Sequence, residues 1–207
     1  MSEKKYQTAP ALSDKMPGSV PYILTNEAFE RFSFYGMRCI LVVFMTEYLL
    51  GASGELALMS EAAAKKYHHF FVAAVYFTPF IGALLCDIFF GKFKTIVFFA
   101  VINCVGLIFL VFDQTRFGLL LGLILVATGS GAMKPCVSAN VGDQFGRNNQ
   151  DKMQKFYGWF YFSINFGSTF STLLVPELLN KYGPRIAFGT PCAAMILATF
   201  ALSLIHI

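Results

Sequence analysis

Apolar and polar positions fall in long blocks along this chain. The apolar blocks are Leu24–Leu50, Tyr67–Phe90, Lys94–Phe112, Phe117–Val137, Lys155–Leu179 and Ile186–Ala201. A helix needs about 20 residues, with roughly 17–25 tolerated, to cross the hydrocarbon core of a bilayer, and most of these blocks reach that length. Between them lies turn chemistry: Gly51-Ala-Ser-Gly54, Asp113-Gln-Thr115, the polar run Asp143–Gln154 and Tyr182-Gly-Pro184. The pattern predicts an all-α membrane protein with six transmembrane helices. Pro79 and Pro176 fall inside helical blocks, where they are expected to kink the helix while neighbours satisfy the freed carbonyls. Residues 1–21 are polar, lack a cleavable apolar run, and read as a cytoplasmic N-terminal tail before a bundle over 22–201.

Composition supports a bilayer environment. Of the 207 residues, 56% are hydrophobic and 14% charged, whereas a soluble domain carries about a quarter charged residues. Twenty-four phenylalanines against one tryptophan suit lipid-facing helices better than a small aqueous core. The net charge of +4 is small and dispersed, which argues against a nucleic-acid partner. Orientation follows from the loop cations. With the N-terminus inside, Lys4, Lys5, Lys15, Lys92, Lys94, Arg147, Lys152 and Lys155 are cytoplasmic, and Lys65, Lys66, Arg116, Lys181 and Arg185 lie opposite. The bias favours a cytoplasmic N-terminus. The five cysteines show no CxxC spacing and read as free buried thiols, supporting neither a zinc site nor a disulfide framework. No nucleophile–base pair or metal cluster appears, so neither an enzyme nor a metal is expected.

Arg31, Arg38 and Lys134 lie within apolar blocks, as do Glu27, Glu30 and Glu47. An ionised side chain at the bilayer centre costs about 2.5–3.5 kcal/mol on insertion scales, so such groups face a cavity or pair up. At 100° per residue, Glu27, Glu30, Arg31, Phe34, Tyr35 and Arg38 share one arc of about 140°. A single polar stripe on a greasy helix lines water. Glu27 and Arg31 stand at i, i+4, where a Glu→Arg pair can form; a structural clamp to a neighbouring helix is the plainer alternative. Lys134 follows the small residues Thr128-Gly-Ser-Gly131, precedes Pro135, and has no carboxylate within one helical turn. Its partner must come from another helix or from a substrate, unless it snorkels. His69 and Tyr76 share a face of the second helix, and Tyr157, Tyr161 and Asn165 share one of the fifth. Each has a bland reading, as an interfacial histidine, packing tyrosines or an interhelical amide.

Several of these segments resemble one family. Glu27-Ala-Phe-Glu-Arg-Phe-Ser-Phe-Tyr-Gly36 is similar to the ExxERFxYYG motif of the proton-dependent oligopeptide transporters, with Phe34 in place of the first tyrosine. Gly82-Ala-Leu-Leu-Cys-Asp87 and Gly91-Lys-Phe-Lys-Thr-Ile96 resemble the loop between helices 2 and 3 of the major facilitator superfamily, with Cys86 where alanine is usual. Gly129-Ser-Gly-Ala-Met-Lys-Pro-Cys-Val-Ser138 and Gly142-Asp-Gln-Phe145 resemble the family's helix 4. Phe160-Tyr-Phe-Ser-Ile-Asn-Phe-Gly-Ser168 resembles its helix 5.

The resemblance implies the N-terminal six-helix bundle of a major facilitator fold and proton-coupled symport of di- and tripeptides. It places Glu27, Glu30, Arg31, Lys134 and His69 in the proton-coupling network. Arg31, Tyr35, Tyr76, Lys134 and Asn165 would contact the peptide, and Asp87 and Lys92 would belong to a gating loop. It implies no cofactor, with the proton as coupling ion. The implied partners are a peptide, protons, the bilayer of the cell (cytoplasmic) membrane, and a C-terminal six-helix half that binds the peptide ammonium. Leu202-Ser-Leu-Ile-His-Ile207 reads as a non-native tail, which marks a truncated half expected to be inactive alone. Uptake of nitrate or another small anion, or a non-transporting membrane fragment, are the alternatives.

Overall fold

The computed structural model describes residues 13–203. The predicted tail up to Leu12 and residues 204–207 lie outside the described residues. Each apolar block forms a helix, and local chemistry carries most of them past the block's ends. α1, Val20–Val43, starts four residues early because Pro21 suits a first helical turn. It passes into a π-helical turn, Phe44–Tyr48, so the block's last residues are not α-helical and Glu47 is exposed there. α2, Glu61–Leu85, begins six residues before its block. The Ser60 hydroxyl accepts from the Ala63 N–H at 3.3 Å, and the following Glu-Ala-Ala-Ala-Lys-Lys run favours helix. A second π-helical turn, Cys86–Phe90, leads to Gly91, whose φ of +73° breaks the helix before α3, Lys92–Phe112.

Thr115 caps α4, Arg116–Gly142, which continues through Pro135 and five residues beyond its block. α5, Met153–Tyr182, ends at Gly183 with a φ of +79°, and Pro184 opens α6, Pro184–Ser203. Leu202 and Ser203, expected to belong to a non-native tail, continue α6, and Leu202 is buried. Among the described residues there are no strands beyond two isolated bridges at Leu50.

α1 packs on α5 and α6, α4 packs on α2 and α3, and α3 meets α6. Exchanging α1–α3 with α4–α6 maps these main contacts onto themselves, as expected of paired three-helix repeats. Small residues let the backbones touch: a Cβ on Gly82 would overlap the Ala132 carbonyl, and one on Gly167 the Ala28 carbonyl. α2 with its π-helical turn, α3, α4 and α6 are long and apolar enough to cross a membrane. α1 and α5 have the length but carry too much polarity. That polarity sits where the site is.

Candidate functional site

The polar stripe of α1 turns toward α4. Arg31 lies between two carboxylates, with Nε 2.9 Å from Glu27 Oε1 and Nη2 2.5 Å from Glu30 Oε2. The three side chains are 11%, 9% and 1% exposed, so the pairing is shielded from solvent. Charge rather than alignment holds it, because Arg31 Nε and Glu30 Oε2 lack a well-directed hydrogen bond. Glu30 Oε1 is satisfied from the next helix: Ser130 Oγ donates to it at 2.9 Å.

Lys134 reaches the same place from α4. Its Nζ stands 4.6 Å from the centroid of the Phe34 ring, and among the described residues no carboxylate lies within ion-pair distance of it. The phenyl ring, which cannot offer the usual tyrosine hydroxyl, presents its π-face to the ammonium. Glu27, Arg31, Lys134 and Ser138 line a cavity of about 200 Å³ whose apolar walls include Met133, Val137, Phe160 and Ile164. The arrangement places one cation paired twice and one cation with no carboxylate at ion-pair distance among the described residues on a shared, partly enclosed space. It can hold an anion and exchange charge partners.

The other predicted residues lie apart from that cavity's lining. Tyr35 is half-buried and meets Phe34 edge to face at 5.4 Å. Tyr76 is 76% exposed on α2. Asn165 is exposed on α5, its amide donating to the Tyr161 carbonyl at 2.9 Å. His69 faces a separate groove with Lys65, Lys66 and Phe70. Its neighbour His68 is the one that meets α1, accepting from Arg38 Nε at 3.4 Å.

The profile of the POT family matches residues 93–204. This chain belongs to the POT family. Solute carrier family 15 member 2 of Danio rerio is 38% identical over 94% of the chain, and Peptide transporter family 1 of Drosophila melanogaster is 38% identical over 94%. The crystal structure of the POT family transporter PepTSo superposes with a TM-score of 0.85 at 45% identity, covering 92% of this chain and 37% of that one. The chain spans 28% and 27% of the two curated relatives' lengths. The fold is accordingly the N-terminal six-helix bundle of the major facilitator superfamily fold, in an integral multi-pass membrane protein.

In this POT bundle Lys92, expected in the loop between α2 and α3, is the first residue of α3, and its Nζ lies 2.5 Å from Asp143 Oδ2 at the end of α4. Asp87 is exposed in the π-helical turn. The α4–α5 connection is also tied to the chain ahead of α1. Ser19 Oγ donates to Gln144 Oε1 at 2.7 Å, Asn149 Nδ2 donates to the Lys15 carbonyl at 3.1 Å, and Lys152 Nζ contacts the Asp14 carbonyl.

Ser130 and Asp143 are the residues that sequence reasoning missed. Both stood in quoted motifs, Ser130 as one small residue among glycines and Asp143 as turn chemistry. Their only signal was a side-chain oxygen, on Ser130 within α4 and on Asp143 just past its end. Of the cysteines read as buried, Cys39 is exposed and Cys104 is half-buried.

Proposed function

We propose that this chain is the N-terminal bundle of a proton-coupled symporter of di- and tripeptides, set in the cytoplasmic membrane with its N-terminus inside. The observation that carries this reading is the unequal pairing of Arg31 and Lys134 over one cavity. A peptide of any sequence carries one terminal carboxylate, and Lys134 is the cation placed to receive it. Its arrival offers Arg31 a new partner. A carboxylate that loses its cation in a poorly hydrated cavity takes up a proton, so substrate binding and protonation of Glu27 or Glu30 become linked. Tyr35, Tyr76 and Asn165 are assigned to the peptide backbone, and the exposed Tyr76 and Asn165 face outward from this bundle, available to a second one. His69 is assigned to proton entry, and Asp87 and Lys92 to the gating loop. No cofactor takes part. The ammonium end of the peptide falls to a second six-helix bundle, since alternating access needs two bundles about a shared site. Peptide transport by relatives that bear that name supports the cargo class.

The test uses the whole protein in which this chain occurs, reconstituted in liposomes. Inward-directed proton gradients are expected to drive dipeptide accumulation that collapses with an ionophore. Glu27→Gln is expected to abolish accumulation while sparing exchange of peptide across the membrane. Uptake that ignores the ionophore, or a variant that loses neither process, refutes the coupling. Nitrate uptake without dipeptide competition would refute the cargo.

A further inference from the structure

α2 and α4 run in the same direction, because α3 crosses back between them. Their contacts follow one register. Thr78 Oγ1 donates to the Ala127 carbonyl at 2.8 Å, and one turn on, Gly82 lies so close to Ala132 that a Cβ would strike its carbonyl. The next turn brings Cys86 opposite Cys136. The Cys136 thiol reaches across to the Gly82 carbonyl at 3.6 Å, and the Cys86 N–H bonds that same carbonyl. The Cys136 thiol and the Cys86 backbone thus meet at one carbonyl, which sets the two side chains on the same seam. Both are buried, Cys86 5% and Cys136 1% exposed. A disulfide requires Cα atoms about 4.4–6.8 Å apart, a separation that helices reach only along a seam of this kind. At position 86 the family resemblance expects alanine, so the pair is a feature of this chain and not of its motif.

We propose that Cys86 and Cys136 form an oxidisable dithiol whose disulfide staples α2 to α4 at the turn that carries Asp87. The oxidant class is a small uncharged peroxide, which enters where larger reagents do not. The Cys86 sulfur attacks the O–O bond of hydrogen peroxide, giving a sulfenic acid and one water. The Cys136 sulfur then displaces the sulfenic hydroxyl as the second water, and the S–S bond closes. Two thiol protons and two electrons have passed to the peroxide, and a small thiol reverses the bond by exchange. The staple holds the π-helical turn Cys86–Phe90, and with it the approach to Lys92, against α4.

Each of the five cysteines lies on its own tryptic peptide, Cys86 on residues 67–92 and Cys136 on 117–147, because the Lys134–Pro135 bond resists trypsin. Membrane vesicles from cells producing the protein are treated with hydrogen peroxide, blocked with an alkylating agent, digested and mapped by mass. The 67–92 to 117–147 cross-link is expected as the dominant disulfide, lost with dithiothreitol and absent in Cys86→Ala, where the usual family residue preserves the fold. A cross-link dominated by Cys104 and Cys192, oxidation confined to the exposed Cys39, or full alkylation of both thiols after peroxide would each overturn the proposal. The readout is a mass, independent of whether peptides are the cargo.

Discussion

Ser130 of α4 donates its hydroxyl to Glu30 Oε1 of α1 at 2.9 Å, in a contact removed from solvent on both sides. It is the polar bolt between the helix that holds the ion-paired Arg31 and the helix that holds Lys134. A hydrogen bond to a charged group contributes about 1.5–3 kcal/mol. Ser130→Ala is therefore expected to lower the unfolding free energy by about that amount in detergent. A loss below about 0.5 kcal/mol in denaturant titration would show that the carboxylate finds another donor.

Arg31 and Lys134 should respond unequally to neutralisation. Arg31→Met leaves Glu27 and Glu30 buried without their cation, and breaking such a cluster costs about 3–5 kcal/mol. Lys134 has no carboxylate within ion-pair distance among the described residues, so Lys134→Met gives up its contact with Phe34, about 0.5–2 kcal/mol, and a longer-range attraction to Glu27 and Glu30. Thermal unfolding of the two variants side by side measures the difference. Equal losses would mean that Lys134 is as firmly paired as Arg31.

Two glycines make a second contrast. A Cβ at Gly82 meets the Ala132 backbone, which cannot rotate away, whereas one at Gly158 meets nothing within 4 Å. Gly82→Ala is expected to cost about 1–3 kcal/mol or more by forcing α2 from α4. Gly158→Ala is expected to gain up to about 1 kcal/mol from helix propensity. Folded yield from membranes and melting temperature report both.

The Lys92–Asp143 pair lies at the solvent end of the bundle, with side chains 35% and 54% exposed. An exposed ion pair contributes about 0.2–1 kcal/mol and is screened by salt. A double-mutant cycle of Lys92→Ala and Asp143→Ala is expected to give a coupling in that range that shrinks at about 1 M salt. A larger, salt-insensitive coupling would mean that the pair is shielded by something else.

Much of the bundle was legible along the chain. Six apolar blocks gave six helices, because bilayer thickness sets their length and turn chemistry sets their breaks. The errors sat at the ends. α2 starts at Glu61 and α4 continues to Gly142, since capping and helix propensity extend a helix beyond its apolar face. The π-helical turns at Phe44–Tyr48 and Cys86–Phe90 left no mark in the hydrophobic pattern, because each is a single five-residue turn at the end of its helix, with no further turns to show the changed phase.

The stripe of Glu27, Glu30 and Arg31 was determined by the sequence itself, since 3.6-residue periodicity puts those side chains on one face wherever the helix goes. Which helix meets that face was decided only by tertiary packing. Lys134 lies more than a hundred residues away in the chain, and its distance from Phe34 depends on how α1 and α4 sit in the bundle. The same packing singled out His68 over His69 as the partner of Arg38, and joined Ser130 to Glu30. It also set the contacts that map α1–α3 onto α4–α6. Periodicity is local and survives in one dimension, whereas the pairing of faces is fixed by backbone approach at residues as plain as Gly82 and Ala132.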